Sequence, residues 1–121
     1  TNNNQGIQAI AFSRDGQTLA HAMRGESRIL VWDVETWEVR YILEEHSRAI
    51  QAIAISPDGK ILASSGEDGK IHLWDMGTGK LLGSIKGYGT IVFSPDGQQL
   101  VSVAEDNVIQ LWQIYGSVIE Q

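Results

Sequence analysis

A histidine, a serine and an aspartate, His46, Ser64 and Asp68, are the residue types from which a hydrolase assembles a base, a nucleophile and an orienting acid. That chemistry needs a serine oxygen that is exposed, activated and set in a cleft. His21, His46 and His72 are where a metal site would start, but they are dispersed along the chain without companions at ligand spacing, so no zinc or iron site is expected. Gly77-Thr78-Gly79-Lys80 has the composition of a phosphate cradle, yet no helix follows to supply a dipole, and it reads as a turn. No Walker-type loop, Gly-x-Ser-x-Gly elbow or His-Glu-x-x-His is present. The chain has no cysteine, which removes disulfides, thiolate catalysis and Cys-based zinc together and leaves the redox compartment open. Neither a cofactor nor a metal is expected.

The elements that must position these residues are repetitive. Ile7-Gln8-Ala9-Ile10-Ala11-Phe12-Ser13-Arg14-Asp15-Gly16, Ile50-Gln51-Ala52-Ile53-Ala54-Ile55-Ser56-Pro57-Asp58-Gly59 and Thr90-Ile91-Val92-Phe93-Ser94-Pro95-Asp96-Gly97 say nearly the same thing, and each is followed downstream by a Trp, at Trp32, Trp74 and Trp112. A period of roughly 40 residues marks units that cannot bury their apolar faces alone and must stack on one another. In the middle copy, Ile50 to Ile55 is apolar on both faces, as a strand covered on both sides would be. Ser56-Pro57-Asp58-Gly59 fits a type I turn, Ile61 to Ser65 a second strand, and Glu67-Asp68-Gly69-Lys70 a hairpin turn. Ile71 to Asp75 is a third strand, and Leu81 to Ile85, after the Gly77–Gly79 break, a fourth. Four short antiparallel strands per unit make one blade of a propeller. The fold expected is therefore all-β, three four-stranded antiparallel blades, with approximate bounds 1–44, 45–87 and 88–121.

Ser-Pro-Asp-Gly, Leu62-Ala63-Ser64, Glu67-Asp68-Gly69 and Ile71-His72-Leu73-Trp74-Asp75, followed by Thr78-Gly79-Lys80, resemble the WD-repeat (WD40) family, in a style like its bacterial members. Two copies depart from the pattern. The first has Arg14 where Pro is usual, and the third ends Leu111-Trp112-Gln113 and enters through a shortened Lys86-Gly87-Tyr88-Gly89. The resemblance implies a buried hydrogen-bond chain through His46, Ser64, Asp68 and Trp74, structural rather than catalytic, and a partial one through Ser102, Asp106 and Trp112. It leaves the first copy only Trp32, with His21 at the serine position and Glu26 at the aspartate position. His72 is expected between blades.

The resemblance also places partner-binding loops at the ends of the strands, with Arg48, Glu67, Glu105, Arg24 and Arg28 as candidate contacts. Trp37, in a turn where the middle copy has Gly79, is expected either to pack on a neighbouring blade or to stand out as an aromatic anchor. Lys and Arg total 9 against 15 Asp and Glu, giving a formal charge of −6, so no basic stripe invites nucleic acid. No apolar run approaches the ~18 residues of a membrane span. Three blades make an arc, because closed rings use about four to eight. The start at Thr1 and the short last strand, Val118 to Gln121, suggest blades of a longer chain; self-association into a ring is the alternative. The function expected is a non-catalytic, cytoplasmic protein–protein interaction scaffold. The competing class is a propeller enzyme or small-molecule binder, for which the inner-strand residues Gln8, Ala9, Gln51 and Ala52 provide no convergent carboxylates.

Overall fold

The computed structural model describes residues 6–103, 107–115 and 118–120. Among the described residues, twelve strands form three four-stranded antiparallel sheets. The first sheet comprises β1 (Ile7–Phe12), β2 (Thr18–Met23), β3 (Ile29–Asp33) and β4 (Glu38–Leu43); the second β5 (Ile50–Ile55), β6 (Ile61–Gly66), β7 (Lys70–Asp75) and β8 (Leu81–Lys86). The third comprises β9 (Tyr88–Phe93), β10 (Gln99–Val103), β11 (Ile109–Tyr115) and β12 (Val118–Glu120). In each sheet the strands lie in sequence order.

The first hairpin of every sheet is closed by the same device. Ser13, Ser56 and Ser94 donate their hydroxyls to Asp15, Asp58 and Asp96 at 2.6, 2.7 and 2.6 Å. The same serine oxygens accept the amides of Thr18, Ile61 and Gln99, while the aspartates accept those of Gln17, Lys60 and Gln98. These side chains satisfy the turn's backbone groups. That is why Arg14 replaces the proline of the other two copies without changing the turn. Gly16, Gly59 and Gly97 sit at φ 74°, 74° and 73°, a region open to glycine.

Alternation with period two gives each sheet two faces, and the apolar cores lie between sheets rather than within them. Ala20, Ala22, Ile29, Val31 and Leu43 of the first sheet pack on Ile50, Leu62, Trp74 and Met76 of the second. Ala63, Ile71 and Leu73, on the second sheet's other face, pack on Ile91, Leu100, Trp112 and Ile114 of the third. The second and third sheets thus turn their Trp-bearing faces to the sheet before, and the first and second turn their Ala/Val/Leu faces to the sheet after. The backbone stitches the stack as well: Ile50 N–H donates to Glu26 O at 2.9 Å, and Gly87 N–H to Gly69 O at 3.1 Å.

The passage into the third sheet is tighter than the sequence suggests, with Gly87 alone separating β8 from β9. A Cβ at Gly87 would lie 2.4 Å from Ile71 Cδ1, so a larger residue there would have to displace the fully buried Ile71 side chain. Beyond it, Gly89 N–H donates to Gln51 Oε1 at 3.0 Å, and Ser65 Oγ–H donates to Gly89 O at 2.6 Å.

Candidate functional site

The second sheet brings His46, Ser64, Asp68 and Trp74 together. Ser64 lies mid-strand on β6 and pairs with His72, and Leu62 pairs with Trp74, so Ser64 and the indole share one face. Asp68 is fixed in the β6–β7 turn by the amides of Ser47 and Lys70, each at 3.1 Å. An ionised carboxylate can only accept, so His46 Nδ1–H donates to Asp68 at 3.2 Å. His46 Nε2 then accepts from Ser64 Oγ–H at 2.8 Å, and Ser64 Oγ accepts Trp74 Nε1–H at 3.0 Å. The chain of donors runs Trp74, Ser64, His46, Asp68, with Ser64 fully buried and His46 and Trp74 nearly so.

Burial holds His46 below its usual pKa against the pull of Asp68, so the imidazole is neutral at neutral pH. Burial pushes Asp68 upward, but the Ser47 amide, the His46 ring and the Lys70 amide outweigh it and keep the group below 3.8. Ser64 is fully buried, and its hydroxyl proton is committed to His46. Gly66 backs the pair: a Cβ there would lie 2.6 Å from His46 Nδ1 and 2.9 Å from Asp68 Oδ1.

The other two indoles are capped by what their sheets supply. Trp112 Nε1–H donates to Ser102 Oγ at 2.9 Å; Asp106 lies outside the described residues. Where the second sheet has a histidine beside its serine, the third has Gly87, whose Cβ would come 3.3 Å from Ser102 Oγ. In the first sheet Trp32 Nε1–H donates to His21 Nδ1 at 3.1 Å, so the histidine at the serine position takes over the acceptor role. Sequence reasoning missed this although the substitution was visible, because an imidazole nitrogen was not weighed as a replacement for a hydroxyl.

His72 lies on β7, buried on the Trp-bearing face, where its ring meets that of His46 at 4.2 Å between centroids. Histidines dispersed in sequence are therefore neighbours in space. Its Nδ1 bonds Ser84 Oγ on β8, and its Nε2 is buried without a hydrogen-bond partner.

The charged candidates lie at one end of the sheets, where β2–β3 and β6–β7 turns and the chain entering β5 converge. Arg48 and Glu67 are exposed there on adjoining segments, tied by Glu67 N–H donating to Ala49 O at 2.8 Å. Arg24 and Arg28 are exposed in the β2–β3 loop, with Arg28 3.5 Å from Glu26. Glu105 lies outside the described residues. Trp37 is at the opposite end, in the β3–β4 turn. It is 54% exposed at φ 56°, so the alternative of packing on a neighbouring blade is not met among the described residues. Its counterpart Gly79 shows why the two turns differ: at φ 76°, a Cβ there would lie 2.4 Å from the Tyr41 ring of the preceding sheet. No described sheet precedes the first, so nothing crowds Trp37.

Both ends of the stack are apolar. Ile10, Phe12 and Ile42 are exposed on the Trp32 face of the first sheet, and Val92, Ile109 and Leu111 on the outward face of the third. A groove of about 720 Å³ between the first two sheets carries charges of both signs, including Asp15, Arg40, Asp58, Lys60 and Asp75.

Stacked four-stranded sheets that bury a serine-capped tryptophan against the preceding sheet define a WD-repeat propeller segment. The profile of the WD domain, G-beta repeat, matches residues 37–75 and 79–113, more than half of the chain, which belongs to the WD40 family. WD repeat-containing protein 90 of Mus musculus is 37% identical over 89 residues, covering 68% of this chain and 5% of that protein. Small ribosomal subunit protein RACK1y of Oryza sativa subsp. japonica is 43% identical over 54 residues, 45% of this chain and 16% of that protein. Among solved structures, that of U3-55K superposes on all of this chain with a TM-score of 0.84 at 21% identity, covering 40% of its own length, a likeness of fold. The chain therefore spans only a small part of the curated relatives it matches. A mammalian and a plant relative give no support to the likeness to bacterial members.

Proposed function

We propose that this chain is a non-catalytic interaction scaffold, a WD-repeat segment whose stacked sheets hold loops rigidly for a protein partner. The observation that carries this reading is the state of Ser64. Its oxygen is fully buried, it accepts from Trp74, and its proton is given to His46, so the serine hydroxyl bonded to His46 is spent on holding the sheet together. A relative that is named as a small ribosomal subunit protein, and so works within an assembly, supports the same reading. The contact surface is the end bearing Arg24, Arg28, Arg48 and Glu67, with Trp37 as an aromatic anchor at the other end. Further blades of a longer polypeptide cover the two apolar end faces.

The test is crosslinking of the wild-type protein in its native cells, compared with an Arg24/Arg28/Arg48→Glu variant and with Trp37→Ala. Loss of the same crosslinked protein from one variant at unchanged melting temperature supports the scaffold and identifies the face. Hydrolytic turnover by purified protein that disappears in Ser64→Ala refutes it.

A second reading, ring closure by copies of this chain, is favoured by the end faces. The open Trp32 face and the open Val92/Ile109/Leu111 face are of the same two kinds that meet at both internal interfaces. A monodisperse dimer or trimer by light scattering selects it, and a monomer or heterogeneous aggregate excludes it.

A further inference from the structure

We propose that His46, Asp68 and His72 form a binding site for a divalent transition-metal ion of the zinc type, with the two imidazoles and one carboxylate as ligands. One ligand atom from each residue lies within 4.8 Å of the other two. The side chains of His46 and Asp68 are only 1% and 6% exposed, and His72 is 5% exposed as a residue. A buried imidazole nitrogen without a partner is costly, and His72 Nε2 is such an atom, held beside the His46 ring. A ligand for that nitrogen would remove the penalty.

The donor atoms follow by elimination. His72 Nδ1 is taken by Ser84 Oγ, which leaves Nε2 for the ion. Both His46 nitrogens are bonded, Nε2 to Ser64 Oγ and Nδ1 to Asp68, and it is Nδ1, 3.2 Å from both Asp68 oxygens, whose shared proton the ion would replace. Ligand atoms in a tetrahedral site with bonds of about 2.0–2.1 Å are ~3.3 Å apart, so the His46–Asp68 pair is already spaced for sharing an ion. No remaining separation exceeds 4.8 Å, so drawing His72 Nε2 inward by up to about 1.5 Å brings all three ligand atoms to tetrahedral spacing.

The outer shell is in place. Metal-bound histidines donate their second N–H to an oxygen that fixes the ring, and here both rings have a serine hydroxyl at that position. On binding, His46 changes tautomer with no net change in protons: the Nδ1 proton is released to solvent, Nε2 takes one up, and Ser64 Oγ turns from donor to acceptor toward the ring. Two neutral imidazoles and one carboxylate suit Zn²⁺, Cu²⁺ or Ni²⁺ better than Mg²⁺ or Ca²⁺, which prefer oxygen alone. Gly66 keeps its side of the pair clear of a side chain. The site ties the chain entering β5, the β6–β7 turn and β7 to one another, so its effect is structural. The proposal stands apart from the scaffold reading, which requires no metal.

The test is Co²⁺ and Zn²⁺ titration of the purified, tag-free protein. Wild type is expected to take up one Co²⁺ with visible absorption typical of tetrahedral coordination, and to rise in melting temperature with Zn²⁺. His72→Gln should lose both while keeping the wild-type circular dichroism, since Gln110 holds the equivalent place opposite Ser102 on β11. His21→Ala, remote in the first sheet, should retain both. No uptake by wild type overturns the proposal, as does uptake by His72→Gln equal to that of wild type.

Discussion

Replacing Ser64 by Ala removes one oxygen from a fully buried position and leaves two groups stranded, Trp74 Nε1–H and His46 Nε2. Alanine fits the space, so the cost comes from lost hydrogen bonds and not from a cavity. A buried donor or acceptor left unpaired costs about 1–3 kcal/mol, and the two share one partner, so the sum is expected at about 2–4 kcal/mol. For a chain of this size that lowers the melting temperature by roughly 3–6 °C per kcal/mol. The third sheet provides the internal control. Ser102→Ala strands one buried indole N–H, that of Trp112, and loses only a long 3.5 Å bond to the part-buried Gln110 Oε1 besides, so it should cost about half as much. His21→Ala should cost less than either, below ~1 kcal/mol, because Trp32 is half-buried and water can replace the imidazole. Urea denaturation followed by tryptophan fluorescence and by circular dichroism orders the three variants. A Ser64→Ala protein within ~0.5 kcal/mol of wild type, or a Ser102→Ala protein that loses more, would refute the account of the network.

Gly66→Ala should cost at least ~2 kcal/mol, because its Cβ would come within 2.6 Å of His46 Nδ1 and force the His46–Asp68 pair apart; thermal denaturation measures it. Trp37→Gly should leave stability unchanged or raise it by up to ~1 kcal/mol, since the residue sits at φ 56° and its ring is mostly in water; a loss greater than ~1 kcal/mol would show packing instead. Asp15, Asp58 and Asp96 are held below 3.8, first by the hydroxyls of Ser13, Ser56 and Ser94 and then by the amides of Gln17, Lys60 and Gln98. With the folded pKa the lower one, the unfolded chain binds more protons in acid. The stabilisation is complete above the unfolded value and is lost as pH falls through the folded ones. Urea midpoints should therefore drop between about pH 5 and pH 2.5, and the Asp15/Asp58/Asp96→Asn variant should show a flatter profile over that window.

The elements most legible in the sequence were those whose residues are neighbours along the chain. The two-faced apolar run Ile50 to Ile55 and the Asp-Gly turn at Asp68-Gly69 are local patterns; β5 spans the first, and β6 and β7 flank the second. The partnership of Ser64 with Trp74 was legible through family resemblance, because a fixed hairpin sets the register between β6 and β7. The bond from Ser56 to Asp58 was not read, although both residues stood in the turn, because conformation alone was considered there and not where the side chains find partners. The rescue of Trp32 by His21 and the exposure of Trp37 depend on what lies opposite each residue, and an isolated strand pattern is silent on that.

Residue order alone determined that this chain stacks four-stranded units, because hydrophobic period, turn chemistry and the recurrence of Ser-x-Asp-Gly and Trp are properties of short segments. Tertiary structure alone decided that His46 and His72 share one pocket and that one imidazole nitrogen is left there without a partner. It also decided that a lone glycine carries the chain into the third sheet past Ile71. These outcomes follow from register and from sheet-on-sheet packing, which bring together side chains far apart along the chain. The free energy of such contacts belongs to the assembled stack and to no single segment of it.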